Sequence, residues 1–384
     1  MNILRMTNTK TYDVVIVGGG IVGVSVGYGL QRKGVRVAIL DGGNRDFSAT
    51  RGNFGLIAVS NKGFDNIPYF RLSLASKNLW RHFADEIKEL SGIDPYFEDY
   101  GMLYILVGEQ EFNDKVIFIK EFMCRAGDSY QHEILNRKEL DRLLGRLGLG
   151  RGVVGGSFSP LDGCVDPLRL YSGLLRAYQK LGGQYLPGHV AAKIARNKNA
   201  FVIKSRNERF SAHKVLIAAG HETLPLASQV GIHVNVRPQR GQVIVTERVE
   251  RIFKYPVSGL MRQNADGTII IGGSREESGL NDRTSTETLM MLARRAVERI
   301  PILHSLNIHR CWASLRPLTN DGYPVYQESK EQPGAFVTTC HSGITLAAIH
   351  AHLIPKWIIN SEKSNLLKPF IAGRFKNEAA IQGH

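Results

Sequence analysis

Hydrophobic positions along the chain follow two rhythms. Short apolar runs mark strands: residues 12–17 (YDVVIV) and 214–220 (KVLIAAG) read as buried strands, and 35–41 (VRVAILD) and 102–107 (MLYILV) as further strands. Apolar residues recurring at helical spacing mark helices over 21–33, 71–91 (with Leu72, Leu79, Phe83 and Ile87), 109–126, 137–145, 285–299 and 344–359. A further helix over 167–181 starts behind Asp166-Pro167, a cap followed by a residue pre-set for the first turn. Strands are also predicted at 241–247, 268–272 and 335–339, and 200–220 reads as two strands. Residues 1–11 are polar and read as a tail, and glycine-rich 146–164 reads as irregular.

The first three of these elements form a complete strand–helix–strand unit, and its turn carries chemistry. Gly18, Gly20 and Gly23 give Gly-x-Gly-x-x-Gly directly after a strand and directly before a helix. The first glycine permits the tight turn, the second lets a pyrophosphate approach the backbone, and the third lets helix and strand pack closely. The N–H groups of the first helical turn, with Ile21 and Val22, then face the phosphates. Asp41 ends the second strand, where a carboxylate accepts from a ribose 2′-hydroxyl and repels a 2′-phosphate. The competing reading, a glycine-rich turn without ligand, does not explain why strand, glycines, helix, strand and acid fall in register. The unit by itself does not separate FAD from NAD.

Composition narrows the class. With 384 residues, 43% hydrophobic and 22% charged, the chain has ample material for a folded core, so disorder is not expected. The net charge of +14 admits nucleic acid, an anionic membrane surface or an acidic partner. The basic residues are spread, as in Arg137, Lys138, Arg142, Arg146 and Arg151, which suits solvated helix faces better than a binding arm. Nucleic acid is therefore disfavoured. Cys124, Cys164, Cys311 and Cys340 lie far apart with no Cys-x-x-Cys pair, so no metal or iron–sulfur site is expected, and the pattern suits a reducing cytoplasm. His350 and His352 are two apart on a helix and do not share a face. No apolar run reaches the ~20 residues of a membrane span, which leaves peripheral membrane contact as the one membrane association still open.

Several motifs together resemble the D-amino-acid oxidase superfamily of FAD enzymes over about residues 12–360. They are VVIVGGGIVGVSVGYGL with VAILDGG, the loop Thr50–Ile57 (TRGNFGLI), Asp162–Pro167 (DGCVDP), VLIAAG at 215–220, RPQRGQVIV at 237–245, Cys311–Pro317 (CWASLRP) with Asp321–Pro324 (DGYP), and His341–Ala347 (HSGITLA). The 50–57 loop and the CHSGITLAA ending look like the B (beta) subunits of opine oxidases, a group related to D-hydroxyproline dehydrogenase and hydrogen cyanide synthase subunits.

The resemblance implies an α/β fold: a Rossmann-like FAD-binding domain of the glutathione-reductase type, with an inserted α+β substrate domain on a mixed or antiparallel sheet. It partitions the chain into a tail (1–11), a discontinuous FAD-binding domain (12–70, 146–234 and 310–365), a substrate or partner domain (71–145 and 235–309) and a C-terminal tail (366–384). It implies oxidation of the C–N bond of an amino acid, imino acid or opine by hydride transfer to flavin N5. It also implies a hetero-oligomer with a second flavoprotein-type subunit and a small iron–sulfur subunit. Two alternatives stay open: a stand-alone glycine- or sarcosine-type amine oxidase producing peroxide, and a tRNA-modifying flavoprotein.

Site roles follow from the same resemblance. Arg316 pairs with the substrate carboxylate, for which a planar guanidinium is suited; a structural salt bridge is the alternative. His341 either touches substrate or braces its turn. Gly343, Ile344 and Thr345 aim a helix N-terminus at the flavin edge where negative charge grows. Asn53 and Gly55 belong to the ring-side loop, Arg51 contacts a phosphate or the flavin unless it is a surface arginine, and Val190, Ala219 and Gly220 lie along the cofactor. Cys311 sits near where monomeric sarcosine oxidase links FAD covalently, but its surroundings differ, and a plain thiol with non-covalent FAD is favoured.

Overall fold

The computed structural model describes residues 10–43, 48–206, 208–257 and 259–375. The chain opens with the expected unit: β1 (Lys10–Val17), α1 (Ile21–Gln31) and β2 (Val37–Leu40). A short β3 (Leu56–Ile57) and a long α2 (Ile67–Ser91) follow, then β4 (Met102–Val107), α3 (Gly108–Ala126), β5 (Glu133–Asn136) and α4 (Arg137–Leu144). β6 (Val153–Ser159) and β7 (Gly163–Cys164) lead to α5 (Pro167–Lys180), β8 (Gln184–Leu186), β9 (Ala191–Asn197), β10 (Ala200–Ser205), β11 (Glu208–Ile217) and α6 (Thr223–Ala227). β12 (Val236–Arg248), β13 (Met261–Gln263), β14 (Thr268–Ile271), α7 (Thr286–Arg299) and β15 (Ile308–Thr319) come next. β16 (Val325–Glu328), β17 (Ala335–Thr339) and α8 (Ala347–Asn360) return to the first unit.

Two sheet systems result. In the first, β17, β11, β1, β2 and β8 run parallel in that order, with β16 antiparallel at one edge and the β9–β10 hairpin on β11. One face buries Val14, Ile16 and Leu216 under α1, α2, α5 and α8; the other buries Val15, Ile217 and Val337 under the hairpin and α6. The second system is antiparallel: β13-β14-β12-β15, beside β4-β6-β5, with a bridge between Leu103 and Val257. Its core, including Leu103, Ile244, Ile269 and Leu292, lies against α4 and α7. This is the Rossmann-like layer with a second, antiparallel layer that the resemblance implied.

Local signals explain the helix starts. Asp166 accepts from Leu168 N and Arg169 N, capping α5. Asn136 and Glu139 form a reciprocal capping box on α4. Asn66 caps α2, which ends at Gly92 with a φ of 76°. α2 buries Leu72, Trp80, Phe83 and Ile87 in the core beneath the parallel sheet. α1 crosses α8 closely at Gly29, where a Cβ would overlap the Ala351 carbonyl oxygen. That carbonyl is the one Pro355 leaves without its helical donor.

The structure departs from the pattern in several places. The stretch 146–164 is not irregular throughout, because β6 pairs with both β4 and β5. Its glycines are there for space: Cβ atoms at Gly155 and Gly156 would overlap the Leu135 and Tyr104 carbonyls. β15 was not anticipated, since its apolar residues do not alternate cleanly, yet it pairs with β12 along nearly its whole length. β12 itself begins at Val236 rather than 241. α8 starts at Ala347 rather than 344, because residues 342–346 form a turn closed by Leu346 N to Ser342 O. Lys10 and Thr11 join β1 instead of trailing loosely. Leu367 and Phe370 are fully buried, and Phe370 O accepts from Tyr326 N, so the C-terminal stretch packs at its start.

Candidate active site

Register builds the site. Val17 stands opposite Leu40 on one side and Ile217 on the other, and Ile217 stands opposite Val337. Parallel strands that end in line bring their succeeding turns together at the carboxyl edge, where open α/β sheets bind ligands. Gly18–Gly23, Asp41, Ala218–Gly220 and Thr339–Thr345 therefore meet at one rim.

The glycine turn is closed on three sides. Gly18 has a φ of 111°, and a Cβ there would overlap the Ala218 carbonyl and come within 2.9 Å of Ala219. A Cβ at Gly23 would overlap the Gly18 carbonyl. Gly20 is less crowded: a Cβ there would meet a single atom, Thr50 Oγ1 at 3.3 Å, and no backbone. Thr50 Oγ1 accepts from Ile21 N at 3.0 Å, taking one donor of the first turn of α1. The N–H groups of Val22 and Gly23 have no partner within the helix by its geometry. Asp41 Oδ2 accepts from Tyr185 OH at 2.8 Å and Oδ1 from Gly43 N at 3.1 Å, which fixes the carboxylate plane. Tyr171 OH donates to Gly19 O, and the Arg51 guanidinium lies 5.6 Å from the Tyr171 ring. Gly220 opens a helical turn with a φ of 59°. Val190 is exposed, and its side chain lies 3.5 Å from where a Gly42 Cβ would stand.

A second group of residues stands around the 50–57 loop. Asn53 Oδ1 accepts from Gly55 N at 2.8 Å, so Asn53 shapes its own loop. Gly55 O accepts from Val165 N, tying the loop to the segment after β7. Trp312 Nε1 donates to Gly52 O at 3.1 Å, tying it to β15. Arg262 donates to Phe54 O and to Asn264 Oδ1, and its remaining Nη2 is buried beside Gly55 without a partner among the described residues. Thr345 Oγ1 accepts from Ala58 N, while Thr345 O accepts from Ser76 Oγ and Trp80 Nε1. A Cβ at Gly343 would stand 2.8 Å from Ile21 Cγ2, so the closing turn abuts the N-terminus of α1. Asp162, within the DGCVDP motif, accepts from Val59 N, Ser60 N and Ser60 Oγ and holds the loop's far end.

Polar groups of several elements converge beyond this loop. Arg316 Nη1 donates to Ser274 O at 2.9 Å and Arg240 O at 3.3 Å, both carbonyls rather than carboxylates. Gly241 makes room for it, since a Cβ there would overlap the guanidinium. Burial, then the charge of Arg275, lowers Arg316 to about 10, against the opposing pull of Glu276. His341 is held neutral: burial first, then Lys62, Arg316 and Arg275, push it well below its usual value. Ser342 Oγ accepts from Lys62 Nζ and Tyr69 OH, both at 2.7 Å, which leaves its own hydrogen for His341 Nδ1 at 3.3 Å. The His341 proton then sits on Nε2. Lys62 is brought down to about 8 by burial and by Arg275.

Arg316 and His341 are thus brought together, as are Gly18, Gly20, Ile21, Gly23, Asp41, Ala219 and Gly343. Lys62, Tyr69, Tyr185, Gly241, Arg262 and Arg275 were not singled out from sequence. Of these only Gly241, a glycine inside a strand, carried a local signal.

A parallel sheet ending in a closed glycine turn, with no backbone crowding Gly20, a fixed acid at Asp41 and an unspent donor at Arg262, has the shape and donors to hold an extended flavin dinucleotide. The class is that of FAD-dependent oxidoreductases. The model of the family described as DAO, FAD dependent oxidoreductase, matches residues 13–357, and the chain belongs to that family. It is 34% identical to the opine oxidase B subunit of Agrobacterium tumefaciens (strain Ach5), over 96% of this chain and 99% of the relative. It is 27% identical to hydrogen cyanide synthase subunit HcnC of Pseudomonas aeruginosa, covering 97% and 98% of the two chains. The crystal structure of glycine oxidase from Geobacillus kaustophilus superposes with a TM-score of 0.88 at 25% identity, covering 95% of this chain and 99% of that one. No helix among the described residues is long and apolar enough to cross a membrane.

Proposed function

We propose that this chain oxidises the carbon–nitrogen bond of an amine that carries a carboxylate, and that it is the catalytic subunit of a heteromeric complex. One observation carries the reading of the site: the Arg316 guanidinium is held in place by two carbonyls, with no carboxylate among its partners in the described residues, beside the neutral His341. A cation positioned by neutral acceptors keeps its charge for a ligand. Bound FAD supplies the oxidising power by accepting a hydride from the carbon next to nitrogen.

The chain's own residues do the rest. Gly18, Gly20, Ile21, Val22, Gly23 and Asp41 hold the adenine end, with Arg51, Val190, Ala219 and Gly220 along the phosphates and ribose. Asn53, Gly55, Gly343, Ile344 and Thr345 border the ring. Arg316 clamps the substrate carboxylate and thereby sets the reacting carbon. His341, neutral with Nε2 protonated, donates a hydrogen bond without adding charge. The loop from Thr50 to Ser60, pinned by Thr345 and Asp162, keeps water from the face where the amine lies. FAD is held without a covalent link: Cys311 is a plain thiol, raised by burial. Acid precipitation checks this, and flavin absorbance in the pellet would overturn it.

Two facts support a complex. The relatives from opine oxidase and from hydrogen cyanide synthase are both named as subunits. The four cysteines of this chain are scattered, so an iron–sulfur relay would have to belong to another subunit. The expected partners are a second flavoprotein-type subunit and a small iron–sulfur subunit, in the cytoplasm. Co-expression with the products of adjacent genes, followed by dye-linked turnover of octopine, nopaline, D-hydroxyproline and glycine, tests the proposal. Rapid oxygen turnover with stoichiometric peroxide by the chain alone would favour the second reading, a stand-alone amine oxidase, which the likeness to glycine oxidase supports.

A further inference from the structure

Arg316 is one of three cations at the same place. Its Nη1 rests on the carbonyl of Ser274, the residue before Arg275. Lys62, from the loop behind β3, donates to Ser342, the neighbour of His341. The imidazole of His341 lies within the field of all three cations. Arg316 and Lys62 are half-buried and Arg275 faces solvent, so the cluster runs from the interior to the rim.

The acids nearby are already engaged. Glu276 pairs with Arg240 at 2.8 Å and accepts from Gln242, Ser274 and Thr288. Asp162 spends its oxygens on Val59 N, Ser60 N and Ser60 Oγ. Among the described residues no carboxylate forms an ion pair with Lys62, Arg275 or Arg316. One substrate carboxylate on Arg316 leaves two cations unmatched. Among the described residues Lys62 has one acceptor, a hydroxyl, and an ammonium has three hydrogens to give.

We propose that Lys62 and Arg275 form a second anion subsite, which takes a second carboxylate on the far arm of a secondary amine whose first carboxylate lies on Arg316. This rests on the proposed amine oxidation. It assigns the specificity of that site to two residues on different segments, one on the loop behind β3 and one just after β14. Substrates with a single carboxylate bind through Arg316 alone; an N-carboxyalkyl amino acid spans both subsites.

The test uses the FAD-loaded protein and two thioethers that cannot be oxidised as amines: thiodiacetate, with two carboxylates, and (methylthio)acetate, with one. Binding is read by calorimetry and by perturbation of the flavin spectrum. Thiodiacetate is expected to bind more tightly by roughly 10- to 100-fold, the worth of a charge-assisted hydrogen bond. Lys62→Met, which keeps the length of the stem, and Arg275→Gln should each pull the ratio of the two affinities toward one. Lys62→Arg should restore most of it. Thermal melting of each variant reports whether the fold is intact, and Arg275→Gln at the exposed rim tests the subsite even if Lys62→Met unfolds. A wild-type ratio near one, or a ratio unmoved in both variants, overturns the subsite while leaving amine oxidation standing. If neither thioether binds and no amine reduces the flavin, both proposals fall.

Discussion

In its proposed role Arg316 depends on its surroundings. Replacing it with alanine should cut kcat/KM for a carboxylate-bearing amine by roughly 100-fold, the loss of a charge-assisted pair, while flavin content stays constant. Gly241→Ala should reproduce part of this defect, since a Cβ there overlaps the guanidinium. Steady-state kinetics with flavin quantitation reads both, and an unimpaired Gly241→Ala would show that the guanidinium does not depend on that space. Lys62 has a pH signature. Its ammonium is lowered to about 8 among Arg275, Arg316, His341, Cys340, Tyr69, Ser342 and Asp162. Only the protonated form attracts an anion, so affinity for thiodiacetate should fall as pH rises through about 8, and Lys62→Met should abolish that limb. A flat profile in the wild type would contradict the assignment.

The sequence made some of these residues visible and hid others for a physical reason. Arg316 stood out because its neighbours form a compact motif on one strand. Lys62 and Arg275 look like ordinary surface cations in their own segments. They are set apart by the company they keep after folding, and nothing local encodes that.

Among the elements, α1 and α8 depend on close approach. Gly23→Ala should expel the cofactor, because its Cβ meets backbone, the Gly18 carbonyl, rather than a side chain that can turn away. The flavin-to-protein ratio after purification is expected to drop several-fold with the circular dichroism spectrum retained; a full complement of FAD would refute the packing argument. The helices were legible through their apolar period, reinforced in α5 by the Asp166 cap. β6 and β15 were not, for opposite reasons. The glycines of β6 imitate loop composition although they make room for the Leu135 and Tyr104 carbonyls. β15 has both faces in mixed surroundings, so its side chains do not alternate, and its strand character comes from pairing with β12.

For the molecule as a whole, two buried histidines tie stability to acid. His132 bridges Tyr130 OH and Ser157 Oγ, and His350 meets Tyr326 OH at 2.8 Å. Burial lowers both to about 3. The unfolded chain protonates them near 6.5, so between that pH and about 3 it binds more protons than the folded one. Their stabilising share is complete above pH 6.5 and drains away as pH falls toward 3. Each adds up to about 1.4 kcal/mol per pH unit to the slope of unfolding free energy. Urea unfolding between pH 7 and 4.5 should be steeper in the wild type than in His350→Gln; equal slopes would show that His350 titrates normally in the fold.

The sequence alone determined the glycine-rich strand–turn–helix, the acid that follows it and the Asp166 cap of α5, and its resemblance to the family marked Arg316 as the candidate for a substrate carboxylate. These are written in residues that are neighbours along the chain, where dihedral preference, periodicity and spacing act directly. The tertiary structure alone decided that strands ending in register would bring Gly18, Asp41, Ala218 and the 341–345 turn to one rim. It also decided that Lys62, Arg275, Arg316 and His341 would meet across four segments. Electrostatic fields and close packing depend on distance in space, and only the completed fold converts separation along the chain into that distance.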